Sequence, residues 1–97
     1  MHAGVVNFRV RPGRMGEAVR TYLGSVIPEM REQRGFRGIF VLTDPETDEG
    51  CTIGLWETED DACAFESSGN YQEQIARLGG VLAEPPVRKV FEVSIQM

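Results

Sequence analysis

An α+β fold with the element order β-α-β-β-α-β is what the sequence predicts, on three observations. Apolar residues alternate or run together in four short segments, 4–10, 36–43, 51–57 and 87–95. Two longer stretches instead repeat their apolar residues every three or four positions. Turn-forming residues separate these pieces at Pro12-Gly13, at Gly35, in the acidic run 44–50, at Gly79-Gly80 and at Pro85-Pro86.

In the first strand, Val6, Phe8 and Val10 form one face, and Val5, Asn7 and Arg9 form the other. Helical spacing follows over residues 14–33, carried by Met15, Val19, Tyr22, Val26 and Met30. Pro28 has no N–H for the carbonyl of residue 24, so the last turns should kink or divide. Gly35 is a natural C-terminal stop. Strands 36–43 and 51–57, joined by the acidic turn, read as a hairpin. Thr58 with Asp61 three residues on resembles a capping box, and Glu59, Asp60 and Asp61 suit the positive end of a helix dipole. Ser67-Ser68-Gly69 interrupts that helix. Asn70 with Glu73 is expected to cap a second piece that packs through Tyr71, Ile75 and Leu78. Glu84-Pro85-Pro86 leads stiffly into the last strand. Such an order is ferredoxin-like: an antiparallel sheet, strand order 4-1-3-2, with helices on one face. Asn7 and Trp56 should then lie on neighbouring strands.

Ninety-seven residues allow one domain, 1–97, with 41% hydrophobic and 26% charged residues. No apolar run reaches membrane-spanning length, and no basic-then-apolar leader opens the chain. Cys51 and Cys63 fit no metal or redox spacing, so a cytoplasmic protein with reduced thiols is expected. The net charge of −5 is uneven, with seven Arg and three Glu in residues 1–43, against three basic and twelve acidic groups in 44–97. Those Arg are spread over a strand, a helix and a turn, which disfavours nucleic acid as a partner. Arg9, Arg11 and Arg37 remain candidates for holding an anion. Gly35-Phe36-Arg37-Gly38 precedes a strand rather than a helix, so it is no phosphate cradle. The single histidine, His2, reads as a tail residue, which argues against a Ser-His-Asp site, a metal centre or an obvious neutral-pH base. Glu57 or Glu66 would serve as a base only if burial raised its pKa.

The hairpin is apolar on both sides, with Phe36, Phe40 and Leu42 against Ile39 and Val41, and Ile53 and Leu55 against Trp56. A sheet with one wet face alternates more cleanly. Helices cover one face only, so a homodimer with sheet packed on sheet is expected.

The segment Leu55-Trp56-Glu57-Thr58-Glu59-Asp60 and its helix carry a family resemblance. So do Pro12-Gly13 after the first strand, Arg34-Gly35-Phe36-Arg37-Gly38, Ser68 to Tyr71 and Pro85-Pro86. Together, in this order and length, the sequence resembles the antibiotic biosynthesis monooxygenase family, a group of dimeric α+β barrels. That resemblance implies a pocket between sheet and helices and oxygenation without flavin or metal, hence no cofactor. It implies a small aromatic ligand, phenolic or quinol-like, and a site built from apolar walls and hydrogen-bond donors for an anion. Asn7 and Trp56 are the candidates for positioning substrate, with Tyr22, Phe65 and Tyr71 as walls. Asn7 matches a strand-1 Asn of the family's haem-degrading branch. Many members carry a His in the helix after the Trp-Glu segment, whereas this chain reads Ala64-Phe65-Glu66. The haem-degrading branch pairs its Asn with a Trp and an axial His, and the matching positions here look like Phe65 and Ile75, so haem degradation is disfavoured. A non-catalytic ligand-binding protein and an isomerase-type activity are the alternatives on the same fold.

Overall fold

A computed structural model describes all 97 residues. Strands β1 (His2–Arg9), β2 (Phe36–Asp44), β3 (Glu49–Trp56) and β4 (Val87–Glu92) form one antiparallel sheet in the order β2-β3-β1-β4. That is the expected order read from the opposite edge. β1 starts earlier than its apolar alternation suggested, so His2 belongs to the sheet rather than to a tail. The His2 Nε2 lies 3.5 Å from Glu59 Oε2, while its Nδ1 is buried without a partner. β4 ends at Glu92, short of residue 95, because Glu92 already pairs with His2 at the start of its only neighbour.

The first helical segment runs as α1 (Met15–Thr21), widens into a π-helical stretch (Tyr22–Val26), and resumes as α2 (Ile27–Met30). The Ile27 N–H donates to the Tyr22 carbonyl five residues back. This extra residue per turn falls just before Pro28, where an α-helix would lack a donor. Met15, Ala18, Tyr22, Val26 and Met30 are buried against the sheet.

Helix α3 (Glu59–Ser67) begins as its sequence indicates, with the Thr58 hydroxyl accepting from the Asp61 N–H at 3.1 Å. Helix α4 (Asn70–Arg77) begins differently. Gly69, at φ 90°, occupies the flanking position, and Asn70 is already inside the helix. The Asn70 amide donates to Ser68 Oγ at 2.9 Å and to Gln33 Oε1 at 3.1 Å, tying α4 to the turn that follows α2.

Pairing between β2 and β3 steps from Phe36↔Trp56 to Gly38↔Leu55, a bulge at Arg37. The bulge brings Phe36 to the helix-covered face with Ile39 and Val41. Simple alternation had grouped Phe36 with Phe40 and Leu42. Those two remain outward, 57% and 49% exposed, as do Val87 and Phe91 of β4 at 68% and 46%.

Candidate functional site

A narrow cavity lies between the covered face of the sheet and helices α3 and α4. Its floor is a cross-strand pair of glycines, Gly4 of β1 opposite Gly54 of β3. Glycine within a strand normally weakens it, and here it vacates space. A Cβ on Gly4 would lie 2.7 Å from Arg88 Nη2, and one on Gly54 would lie 3.3 Å from Met30 Cε and 3.4 Å from Trp56 Nε1.

Aromatic rings make the walls. Trp56 ends β3 and is 1% exposed. Phe36 meets it edge-on at 5.8 Å, and Phe65 of α3 packs beside it at 5.2 Å between centroids. Tyr71 of α4 follows at 6.2 Å from Phe65, and Tyr22 enters from the π-helical stretch.

One cation penetrates this apolar space. Arg88 of β4 is only 3% exposed in its side chain, pairs with Glu66 at 2.9 Å and donates to the Ala62 carbonyl at 3.0 Å. Its guanidinium carbon also stands 5.6 Å from the Phe65 centroid and 5.4 Å from that of Tyr71. Glu66 is half-exposed, so the carboxylate sits toward solvent and the positive charge toward the cavity. Two of the five guanidinium donors are engaged by these contacts.

Both tyrosines are held neutral. Burial pushes the Tyr22 phenol up to about 12, offset in part by hydrogen bonding with Thr52 and reinforced by nearby Tyr71. Burial also raises Tyr71, while the Arg88 charge opposes it. Two polar atoms on the cavity wall have no partner, the Tyr71 hydroxyl and Gln74 Nε2. Buried polar groups are nearly always hydrogen-bonded, so these two donors are open to whatever occupies the cavity. The cavity leaves about 30 Å³ for the centres of water molecules, room for about two of them.

Four of the five residues singled out from sequence, Tyr22, Trp56, Phe65 and Tyr71, line this cavity together. The fifth, Asn7, does not reach it. In register it faces Cys51 rather than Trp56, and it is exposed on the opposite face, where the strand's two-residue period puts it beside Val5 and Arg9. Val6 takes the inward position. Neither carboxylate considered as a base is buried: Glu57 is exposed and Glu66 is taken up by Arg88. Arg9 pairs with Glu84 at the surface, and Arg11 and Arg37 are exposed. Sequence reasoning overlooked Arg88, Gln74 and the glycine floor. Arg88 shares the covered face with Val90 by alternation, and two glycines within strands were a readable sign of close approach. The His, Cys, Asp and Glu side chains form no cluster of three or more able to hold a metal ion.

Residues 1–77 match the family model described as antibiotic biosynthesis monooxygenase. No curated protein sequence is significantly similar. Among solved structures, a Bordetella bronchiseptica protein named for the same family is 23% identical, with 97% of each chain covered and a TM-score of 0.81. A Streptomyces coelicolor monooxygenase from the gene ActVA-Orf6, in complex with nanaomycin D, is 19% identical, with 99% of this chain and 89% of that one covered and a TM-score of 0.80. SnoaB, a cofactor-independent oxygenase from Streptomyces nogalater, in a mutant form, is 14% identical with a TM-score of 0.80, covering 99% of this chain and 95% of that one.

Proposed function

This chain belongs to the antibiotic biosynthesis monooxygenase family, and on that footing we propose that it oxygenates a small phenolic or quinol-like molecule, without a bound cofactor, in the cavity between sheet and helices. The observation that carries the reading is a buried, partly unengaged guanidinium, Arg88, set among Trp56, Phe65 and Tyr71. An apolar slot with one fixed positive charge favours an aromatic ring bearing an oxygen anion over the neutral molecule.

The chemistry needs no protein base. A phenol with a free para carbon gives its proton to water as Arg88 and the neutral Tyr71 hydroxyl stabilise the phenolate oxygen. The anion passes one electron to dioxygen, and the radical pair combines at the para carbon as a peroxide anion. Protonation of the peroxide, followed by loss of the ring hydrogen with cleavage of the O–O bond, releases water and leaves a quinone. One oxygen atom of dioxygen enters product and the other becomes water. Trp56 and Phe65 hold the ring and exclude solvent during the radical stage. The names of the two Streptomyces structures, a monooxygenase with a bound small molecule and a cofactor-independent oxygenase, support this reading.

A homodimer in the cytoplasm completes the proposal. Phe40, Leu42, Val87 and Phe91 present an apolar outer sheet face of the kind that a second copy buries.

Incubation with a panel of phenols and hydroquinones under air tests the activity. Oxygen uptake above the uncatalysed rate is expected. Saturable binding without uptake would turn the assignment to a binding protein, and product formed anaerobically would turn it to an isomerase.

A further inference from the structure

We infer that Gln74 is a specificity-determining residue, whose amide requires the ligand to carry a second oxygen, an uncharged acceptor, in addition to the hydroxyl that ionises. This rests on the cavity being an aryl-binding site.

Gln74 is 4% exposed, and its Nε2 is buried with no hydrogen-bond partner. It is not a core-filling residue that happens to be polar. Leu78 one turn on is the buried apolar residue of that helix face, and Ile75 beside Gln74 already lines the cavity wall. A leucine or methionine at position 74 would fill the same volume without desolvating an amide. The neighbouring donors have other work. Arg88 carries the charge that an ionised hydroxyl seeks, and Tyr71 stands against Arg88. Gln74 is uncharged, and the atom it leaves fully buried without a partner, Nε2, is a donor, so it selects a neutral oxygen such as a carbonyl or ether. A ligand lacking that oxygen leaves the amide unpaired, and sites built around a buried polar group discriminate against such analogues.

The test uses two phenols alike in shape and acidity, 4-methoxyphenol and 4-ethylphenol, which differ by one ether oxygen. Trp56, the only tryptophan, lines the cavity and reports binding by its fluorescence. The wild-type protein should bind 4-methoxyphenol roughly fivefold tighter, the scale of one neutral hydrogen bond. Gln74→Leu should erase that preference while binding 4-ethylphenol at least as well as wild type. Equal affinity of both phenols for the wild type would overturn the inference, as would a preference that survives in Gln74→Leu. If neither phenol perturbs Trp56, the aryl-binding reading itself falls, and the role of Gln74 falls with it.

Discussion

Tyr22 shows at one residue how the cavity is tuned. Its phenol is pushed from 10.0 to about 12, chiefly by burial, so the folded protein holds the proton to higher pH than the unfolded chain does. Between those values the native state binds more protons, and stability must fall as pH rises. The contribution is complete below pH 10.0 and is lost by about 12. A shift of two units corresponds to about 3 kcal/mol at full burial. Urea denaturation between neutral pH and pH 11.5 should therefore show a decline that Tyr22→Phe reduces, and an unchanged slope in the variant would contradict the burial argument. Arg88 shows the complementary case, a charge held in an apolar site. Glu66, the Ala62 carbonyl and two aromatic rings compensate its desolvation, and the absence of a side chain at Gly4 leaves room for it. Alternation and the strand glycines marked each residue separately, but not their meeting, because Gly4 and Arg88 are 84 positions apart and come together only through strand pairing, Gly4 opposite Val90.

Among the elements, α4 forms a polar wall of the cavity. It carries Tyr71 and Gln74, two of the cavity's polar groups, and follows Gly69 in a left-handed conformation. Arg77 bonds Glu29 of α2 at 2.6 Å and Asn70 bonds Gln33 in the turn after α2, so α4 is tied at both of its ends. About 30 Å³ is too little for an aromatic ring, so the cavity must widen to admit one. Both latching side chains are more than a third exposed, so solvent screens the pair and its hold on the helix is weak. Glu29→Gln should raise amide exchange roughly twofold across residues 70–77 and leave β1 unchanged. Equal exchange in both proteins would mean that the ion pair does not hold the helix. These local features differ in how far the sequence revealed them. Pro28 announced a disturbed helix and Thr58 announced a cap, because each acts on backbone groups within five residues. Asn70 misled, because its amide is drawn to Gln33, 37 positions away. The bulge at Arg37 shifted Phe36 to the other face through a pairing detail that alternation cannot encode.

At the scale of the whole molecule, the strand order and helix side were legible because hydrophobic period and turn residues act everywhere along the chain. The cavity was legible in part. Its aromatic walls stood out as large residues beside a strand–helix junction, while the polar groups inside it depend on which face each strand turns inward. Asn7 illustrates the difference: one step in a period of two takes it from the cavity to the outer surface. That outer surface, with Phe40, Leu42, Val87 and Phe91, predicts association. Light scattering at micromolar concentration should give twice the 10.8 kDa chain mass, and Phe40→Glu with Phe91→Glu should return it to the single-chain value. A wild-type mass of one chain would remove the dimer from the account. Oxygenation of a phenol beside Arg88 is tested most directly by isotope labelling. Turnover of an electron-rich phenol under oxygen-18 gas should place one labelled atom in the quinone, and Arg88→Met should slow that incorporation about a hundredfold, the scale of losing one charge-stabilising donor. Product free of label, or labelling undiminished in Arg88→Met, would contradict it.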